Sequence, residues 1–193
     1  MYCRTAISKG GLVIKHLSLA TVLAFTMALT CSTGFVRAAS TQSGAIADFL
    51  TIGFANAPNN FKSIMGADKG LFPHHVALRW PDRTHFRDCE IIPLTLGSFY
   101  GCYSVRQPGG TFASCKKMLF AVARAIQSHL PSGYASTGPE YPRDKDFRNG
   151  NMQQVWSSPG KPEVYVVIHE RPDNHAFFAI GMYSVDSGIG QPR

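Results

Sequence analysis

The chain has 193 residues, of which 45% are apolar and 16% are charged, with 12 prolines and 18 glycines. This composition, with prolines and glycines scattered along the chain, excludes a collagen, a coiled coil and a wholly disordered protein. The formal net charge is +7, from 19 Lys and Arg against 12 Asp and Glu, but four of the basic residues and none of the acids lie in residues 1–38. Residues 39–193 therefore carry 15 basic and 12 acidic residues, and their net charge of +3 is ordinary for a soluble surface.

Residues 1–38 have the pattern of a cleaved export signal. A basic start is followed by an apolar run over residues 17–29, and the small residues Val36 and Ala38 precede the cleavage point. The run is too short to cross a bilayer, which takes about 20 apolar residues. We therefore predict a signal peptide over residues 1–38 and a single domain over residues 39–193, in the periplasm or outside the cell and without a stable membrane anchor after cleavage.

Cys31 offers the alternative of a lipid anchor. Lipoprotein signals usually place Leu three residues before the modified cysteine and a small Gly, Ala or Ser directly before it, where this chain has Ala28 and Thr30. An uncleaved membrane anchor is the other alternative, and cleavage agrees better with the short apolar run.

Two short helices are predicted at the start of the domain. Apolar residues recur at helical spacing over residues 43–55, and Pro58 ends this helix. Asn59 is positioned to cap a second helix that continues to Met65 and stops at Gly66.

From Val76 the apolar spacing changes to the alternation typical of strands. Residues 76–80 form the first predicted strand, and residues 88–95 and 99–105 form a hairpin around a short turn. Pro93 cannot donate a backbone hydrogen bond, so the second strand is expected at a sheet edge or with a bulge there.

The cysteines are interpreted in light of export, because an oxidising compartment lets thiols pair. Three cysteines remain after cleavage, so one bridge and one free thiol are expected. Cys89 and Cys102 flank the hairpin and are the favoured pair, with Cys102 and Cys115 as the alternative. Cys115 lies on the apolar stripe of the following helix, where a buried free thiol is common.

The second half of the domain is predicted as one long helix, a long loop and three strands. The helix covers residues 112–130 with Thr111 as its cap, and the loop covers residues 132–150. The three strands are residues 152–157, 163–170 and 176–185. This order predicts an α+β single domain: an antiparallel sheet of about five to six strands, with one long helix and two short N-terminal helices packed on one face.

Two groups of polar residues are weak candidates for catalysis. His169, Glu170 and His175 lie on either side of a predicted turn, and a hairpin can place the two histidines opposite each other. The second group consists of His74, His75, Asp82, His85 and Asp88. Two of its histidines with a carboxylate are suited to bind zinc, or Asp82 and His85 to act as an acid and base for hydrolysis. In the alternative interpretation, the residues of both groups are polar turn, loop and strand-end residues that face water. Neither group has the spacing of a known metal motif, so no metal and no cofactor is predicted.

A stretch of arginines and aromatic residues raises the possibility of nucleic-acid binding. Arg79, Arg83 and Arg87 recur every four residues beside aromatic side chains. Acidic residues in the same stretch and the small net charge of the domain argue against it, since binding by counterion release needs several uncompensated cations. We therefore predict no nucleic-acid partner, and a secreted nuclease is kept only as a form of the hydrolase alternative.

The loop over residues 132–150 is the predicted binding surface. Its candidate contact residues are Tyr134, Tyr141, Arg143 and Arg148, because loops carry function and Tyr and Arg dominate many interfaces. In the alternative, Tyr141 packs back onto the sheet. With no catalytic motif in the chain, the predicted function is an exported binding module that uses this loop and the nearby sheet edge to bind a protein partner. The alternative is a small exported hydrolase, metal-assisted or acid–base.

Overall fold

The computed structural model describes residues 42–70, 73–143, 145 and 151–184. The predicted signal peptide over residues 1–38 lies outside these ranges, as does Arg148, so both remain predictions. Within these ranges, none of the helices is long and apolar enough to cross a membrane.

The described residues form an antiparallel sheet of nine strands. The strands are β1 (Met65–Asp68), β2 (His75–Ala77), β3 (Phe86–Leu94), β4 (Gly97–Ser104), β5 (Gln107–Pro108), β6 (Ala135–Glu140), β7 (Met152–Ser157), β8 (Glu163–Glu170) and β9 (His175–Tyr183). Their spatial order is β1-β2-β3-β4-β9-β8-β7-β6, and β5 pairs with β9 beyond the end of β4. Because β9 lies between β4 and β8, the two halves of the chain share one sheet.

The sheet is larger than the five to six strands predicted. The additional strands are β1, β5 and β6, all of them short. The last of these, Ala135–Glu140, lies inside the region predicted as a loop and is exposed at all but one position. A strand with water on both sides has no alternating apolar pattern, so periodicity does not detect it.

The number of helices also differs from the prediction. A helix covers residues 42–56 (α1), as predicted, and α2 covers Phe112–His129. The predicted second helix is instead a pair of 3-10 turns, Ala57–Asn59 and Lys62–Ile64. Gly66 does not stop a helix but lies in β1, where a Cβ would be 2.7 Å from a backbone oxygen of β2.

The start of α2 confirms the predicted cap. The side-chain hydroxyl of Thr111 accepts a hydrogen bond from the Ser114 backbone N–H at 3.3 Å, and the Ser114 hydroxyl accepts one from Thr111 N–H at 3.0 Å. This reciprocal arrangement satisfies two backbone donors that a helix start leaves unpaired.

Both helices pack on the same side of the sheet, which we call the first face. Successive strand residues point to opposite sides, so the register assigns each side chain to a face. The side chains buried on the first face include Cys89, Ile91, Tyr100, Cys102, Trp156, Val164, Val166, Ile168, Phe178, Ile180 and Met182. The helices add Ile46, Phe49, Leu50, Cys115, Leu119, Val122 and Ile126 to this core. The predicted α+β architecture, with helices on one face of an antiparallel sheet, is therefore observed.

The β3–β4 hairpin contains the predicted disulfide. Cys89 and Cys102 are directly opposed in the register, and their sulfurs are bonded at 2.05 Å. Cys115 is free and buried in the core, so the alternative pairing is wrong.

The opposite side of the sheet, which we call the second face, is built around two glycines. Gly101 in β4 and Gly181 in β9 are directly opposed. A Cβ on Gly181 would overlap the rings of Phe99 and Tyr165, which lie flat across the glycine backbone. The glycines therefore let large aromatic rings lie close against the sheet.

Replacing Gly181 with alanine is expected to lower the free energy of unfolding by about 1–3 kcal/mol, because the new methyl group has to displace packed rings. Gly44→Ala is the matched control: nothing lies within 4 Å of a Cβ there. In a helix this control should leave stability unchanged or raise it by up to about 1 kcal/mol. Denaturant unfolding of both variants measures the difference, and equal effects would contradict the packing described for the second face.

Candidate functional site

An irregularity in β3 places charged side chains side by side on the second face. Phe86 opposes Ser104 and Asp88 opposes Tyr103, so Arg87 is an extra residue between the two pairs. This is a β-bulge, and bulges commonly redirect side chains beside functional sites. Here the bulge places the Arg87 guanidinium over the ring of Phe177 on β9, 4.8 Å from its centre.

The bulge borders an open cleft of about 450 Å³, lined by Arg87, Asp88, Glu90 and Tyr103. We call this feature the Arg87 cleft. Asp88 and Glu90 are two residues apart on β3 and therefore share a face with Tyr103 of β4. Strand β3, with its bulge, thus supplies three of the four side chains, and β4 supplies Tyr103.

The two carboxylates of the Arg87 cleft have partners. The ammonium group of Lys69 donates to both oxygens of Asp88, at 2.9 and 2.8 Å. The Tyr103 hydroxyl donates to Glu90 Oε1 at 2.5 Å, and Glu90 Oε2 lies 3.9 Å from Lys69 Nζ and 3.5 Å from His74 Nδ1. Burial and this bond to Glu90 raise the pKa of Tyr103. The phenol therefore stays protonated near neutral pH and continues to donate.

Arg87 differs from Asp88 and Glu90 in having no ion pair with a described residue. Within the described ranges no carboxylate lies within 4.0 Å of its guanidinium, and the side chain is exposed. Phe177 also stacks with the imidazole of His169, at a ring separation of 4.8 Å. Burial lowers the pKa of His169, and the charges of Arg171 and Arg87 lower it further. His169 is therefore neutral at pH 7, and the positive charge over Phe177 is that of Arg87.

A cluster of three aromatic rings continues the second face away from the cleft. Phe99, Tyr165 and Tyr183 lie 5.4–5.6 Å from one another between ring centres. Their strands, β4, β8 and β9, are neighbours in the sheet. The second face therefore has a charged end at the cleft and an aromatic middle.

The structure does not bring His169, Glu170 and His175 together. His169 lies on the second face opposite Phe177, and Glu170, its neighbour in the strand, points to the other side. His175 turns back to its own loop, where its Nδ1 lies 2.9 Å from the backbone oxygen of Asp173. The described residues contain no group of three or more His, Cys, Asp or Glu side chains placed to hold a metal ion.

Asp82 and His85 are in contact, but as part of a local turn. His85 Nδ1 lies 2.9 Å from Asp82 Oδ2 and 3.0 Å from the Thr84 hydroxyl. Hydrogen bonds from Thr84 and His85 lower the pKa of Asp82. A relay from a hydroxyl through histidine to a carboxylate uses the two different ring nitrogens. Here both contacts of His85 are made by Nδ1. The three side chains therefore form a local turn and do not have the geometry of a catalytic relay.

Strand β6 lies inside the predicted loop over residues 132–150 and separates Tyr134 from Tyr141 and Arg143. Tyr134, before this strand, is half-buried: its hydroxyl donates to the Pro162 backbone oxygen at 2.6 Å, and its ring meets Phe54 of α1 edge-on at 5.9 Å. Burial raises the pKa of Tyr134 to about 12. Tyr134 therefore packs against the core.

Tyr141 and Arg143, after β6, remain on the surface. The ring of Tyr141 is 40% exposed and contacts Phe112 at the start of α2, with the Lys116 ammonium 4.7 Å from its centre. Tyr141 thus rests on α2 rather than on the sheet. It lies at the opposite end of a six-residue strand from Tyr134, so Tyr134 and Tyr141 do not share one contact patch.

The sheet edge beside this loop is poorly suited to pairing with another strand. Pro139 lies within β6 and has no N–H, Gly138 has a φ of +81°, and the register shifts between Ser136 and Pro139. Proline and irregular register are the usual means by which sheet edges avoid adding strands.

The arginines at four-residue spacing are separated in the fold. Arg83 lies over Trp80 at 4.8 Å, while Arg87 lies over Phe177 in a different part of the sheet.

The sequence pattern grouped His74 and Asp88 with Asp82 and His85, but it did not predict the Arg87 cleft, in which Asp88 lies beside Arg87, Glu90 and Tyr103. Its one signal in the sequence is the alternation of Asp88 and Glu90 with the buried Cys89 and Ile91. The chain matches no protein-family model, no curated protein and no solved structure.

Proposed function

We propose that the protein is an exported binding module that holds part of a partner protein in the Arg87 cleft and on the adjoining aromatic surface of the second face. The observation that carries this proposal is the bulge that places Arg87 beside Asp88 at an open cleft. Convergent polar groups are the part of a ligand site that fixes the orientation of the ligand. Tyr and Arg are also the residues that most often dominate binding energy.

The geometry gives less support to the hydrolase alternative. A hydrolase needs a base, an acid or nucleophile, and a place for the reacting atom within hydrogen-bond reach of both. His169 and Glu170 lie on opposite faces, and His85 directs one nitrogen to both of its partners. In the Arg87 cleft, the carboxylates of Asp88 and Glu90 are engaged by Lys69 and Tyr103, so neither is free to act as a base. That arrangement is suited to binding.

A comparison of two double variants tests the location of the binding surface. A partner captured from the exported proteins of the source cell is identified and purified, and its affinity is then measured by calorimetry against the full chain. Arg87→Ala with Asp88→Ala should weaken binding about 30-fold, which corresponds to about 2 kcal/mol for a typical hot spot. Tyr141→Ala with Arg143→Ala, the matched variant on the predicted loop, should change affinity by less than about twofold.

The opposite ranking of the two variants would assign binding to the loop and overturn the proposed location. Unchanged affinity in both would exclude both surfaces. Thermal melts of the variants serve as the control for folding. Arg87 is exposed and Asp88 is partly exposed, so neither change should remove core packing.

A further inference from the structure

We infer that the Arg87 cleft recognises a carboxylate group, which the guanidinium of Arg87 holds. This inference rests on the proposed function, to which it adds the chemical class of the group bound. It follows from the charges of the cleft, from the way Arg87 is oriented and from the position of Asp88.

Arg87 and Lys69 balance the two carboxylates of the Arg87 cleft in number, but both carboxylates lie within 4.0 Å of Lys69 and neither lies within 4.0 Å of Arg87. Asp88 is matched by Lys69 at 2.8 Å, and Glu90 lies near Lys69 and His74 while it accepts from Tyr103. Arg87 is the cation in the lining and has no carboxylate within 4.0 Å among the described side chains. A ligand group that pairs with this guanidinium is therefore an anion.

Packing against Phe177 orients the guanidinium of Arg87. With its carbon 4.8 Å from the centre of the ring, the guanidinium is held against Phe177. A guanidinium presents its N–H donors as a fork that matches the two oxygens of a carboxylate. Stacking of this kind reduces the freedom that the side chain would lose on binding.

The position of Asp88 favours a carboxylate over a phosphate. Its side chain is 41% exposed and adjoins Arg87 in the bulge. Asp88 repels any anion beside Arg87, and it repels a phosphate, which carries up to two negative charges near neutral pH, more strongly than a carboxylate, which carries one. The group recognised is therefore a monoanion, supplied either by an acidic side chain of the partner protein or by a small organic acid.

Titrations of the full chain with defined anions test this inference. The probes are sodium acetate, a blocked tripeptide with a central glutamate, inorganic phosphate, and sodium chloride at matched ionic strength. The readouts are the NMR resonances of the Arg87 guanidinium and of the His169 imidazole beside Phe177. We expect saturable shifts with both carboxylates beyond those in chloride. Tighter binding of the peptide would identify a protein side chain as the source, and tighter binding of acetate would identify a small acid.

Three arginine variants make the test specific. Arg87→Ala should abolish the saturable shift of His169. Arg87→Lys should weaken binding at least about tenfold, because an ammonium has neither the fork nor the planar face. Arg124→Ala, which removes an exposed arginine on α2, should leave the titration unchanged.

Three results would overturn the inference: no saturable shift beyond chloride, equal affinity in Arg87→Ala, or tighter binding of phosphate than of either carboxylate. Its failure is distinguishable from failure of the proposed function. If the captured partner needs Arg87 and Asp88 but carboxylates do not bind, the inference fails and the function stands. If partner binding does not need them, the proposed function fails whatever the titration shows.

Discussion

Replacing Tyr100 with alanine is expected to lower the free energy of unfolding by about 4 kcal/mol, the middle of the range for removing a buried aromatic side chain. Tyr100 is fully buried at the centre of the first face. Its ring stacks on Phe49 of α1 at 4.9 Å and lies 5.6 Å from Phe61. The substitution therefore removes the ring through which the N-terminal segments contact the sheet.

Tyr100→Phe is the matched control, since it keeps the ring and removes only the hydroxyl. That hydroxyl donates to the Arg79 backbone oxygen at 3.3 Å, so its loss should cost about 1 kcal/mol. Denaturant unfolding followed by circular dichroism measures both variants. An equal and small effect of the two substitutions would mean that α1 does not depend on this ring for its packing.

Removing the disulfide is expected to lower the free energy of unfolding by about 3 kcal/mol. Cys89 and Cys102 are 13 residues apart, and in the chain-entropy model a closed loop of this size restricts the unfolded state by about that amount. The test variant is Cys89→Ala with Cys102→Ala. Cys115→Ala is the control, because it removes a buried sulfur without opening a bridge.

Melting with and without reductant completes this experiment. The wild type and Cys115→Ala should melt at a lower temperature in reductant, and the double variant should show no such dependence. Mass spectrometry verifies that the bond has been reduced. If the melting temperature of the wild type is unchanged after verified reduction, the bridge contributes little to stability and the expectation is wrong.

The well-predicted parts of the fold are those in which one side of an element is apolar. Residues 152–157 and 163–170 were predicted from alternation and coincide with β7 and β8, whose alternate side chains enter the core. The helix over residues 112–130 agrees with α2 to within one residue. By contrast, β1 has four residues and β6 is exposed at five of its six positions, and neither has a fully buried residue that would mark it by alternation.

The candidate site was less predictable because it depends on contacts distant in sequence and on a bulge. Lys69, which neutralises Asp88, lies 19 residues before it, and Phe177 reaches Arg87 from the far end of the domain. In a regular strand, successive side chains point to opposite faces, so Arg87 and Asp88 would lie on different faces of the sheet. The bulge adds one residue to β3, and Arg87 therefore lies on the second face beside Asp88. The local sequence pattern instead indicated His169 and His175, which are close in sequence. In the structure His169 lies opposite Phe177 and His175 contacts the backbone of Asp173, so the two histidines do not form one site.

The burial of Cys115 affects how stable the Cys89–Cys102 disulfide is toward thiol exchange. An odd thiol in an oxidising compartment ordinarily attacks existing bridges or links two chains covalently. Such exchange requires an accessible thiolate. Cys115 is 0% exposed, and burial together with the nearby charge of Glu170 raises its pKa. While the domain stays folded, its single bridge is therefore protected from scrambling, and covalent dimers through this sulfur are disfavoured.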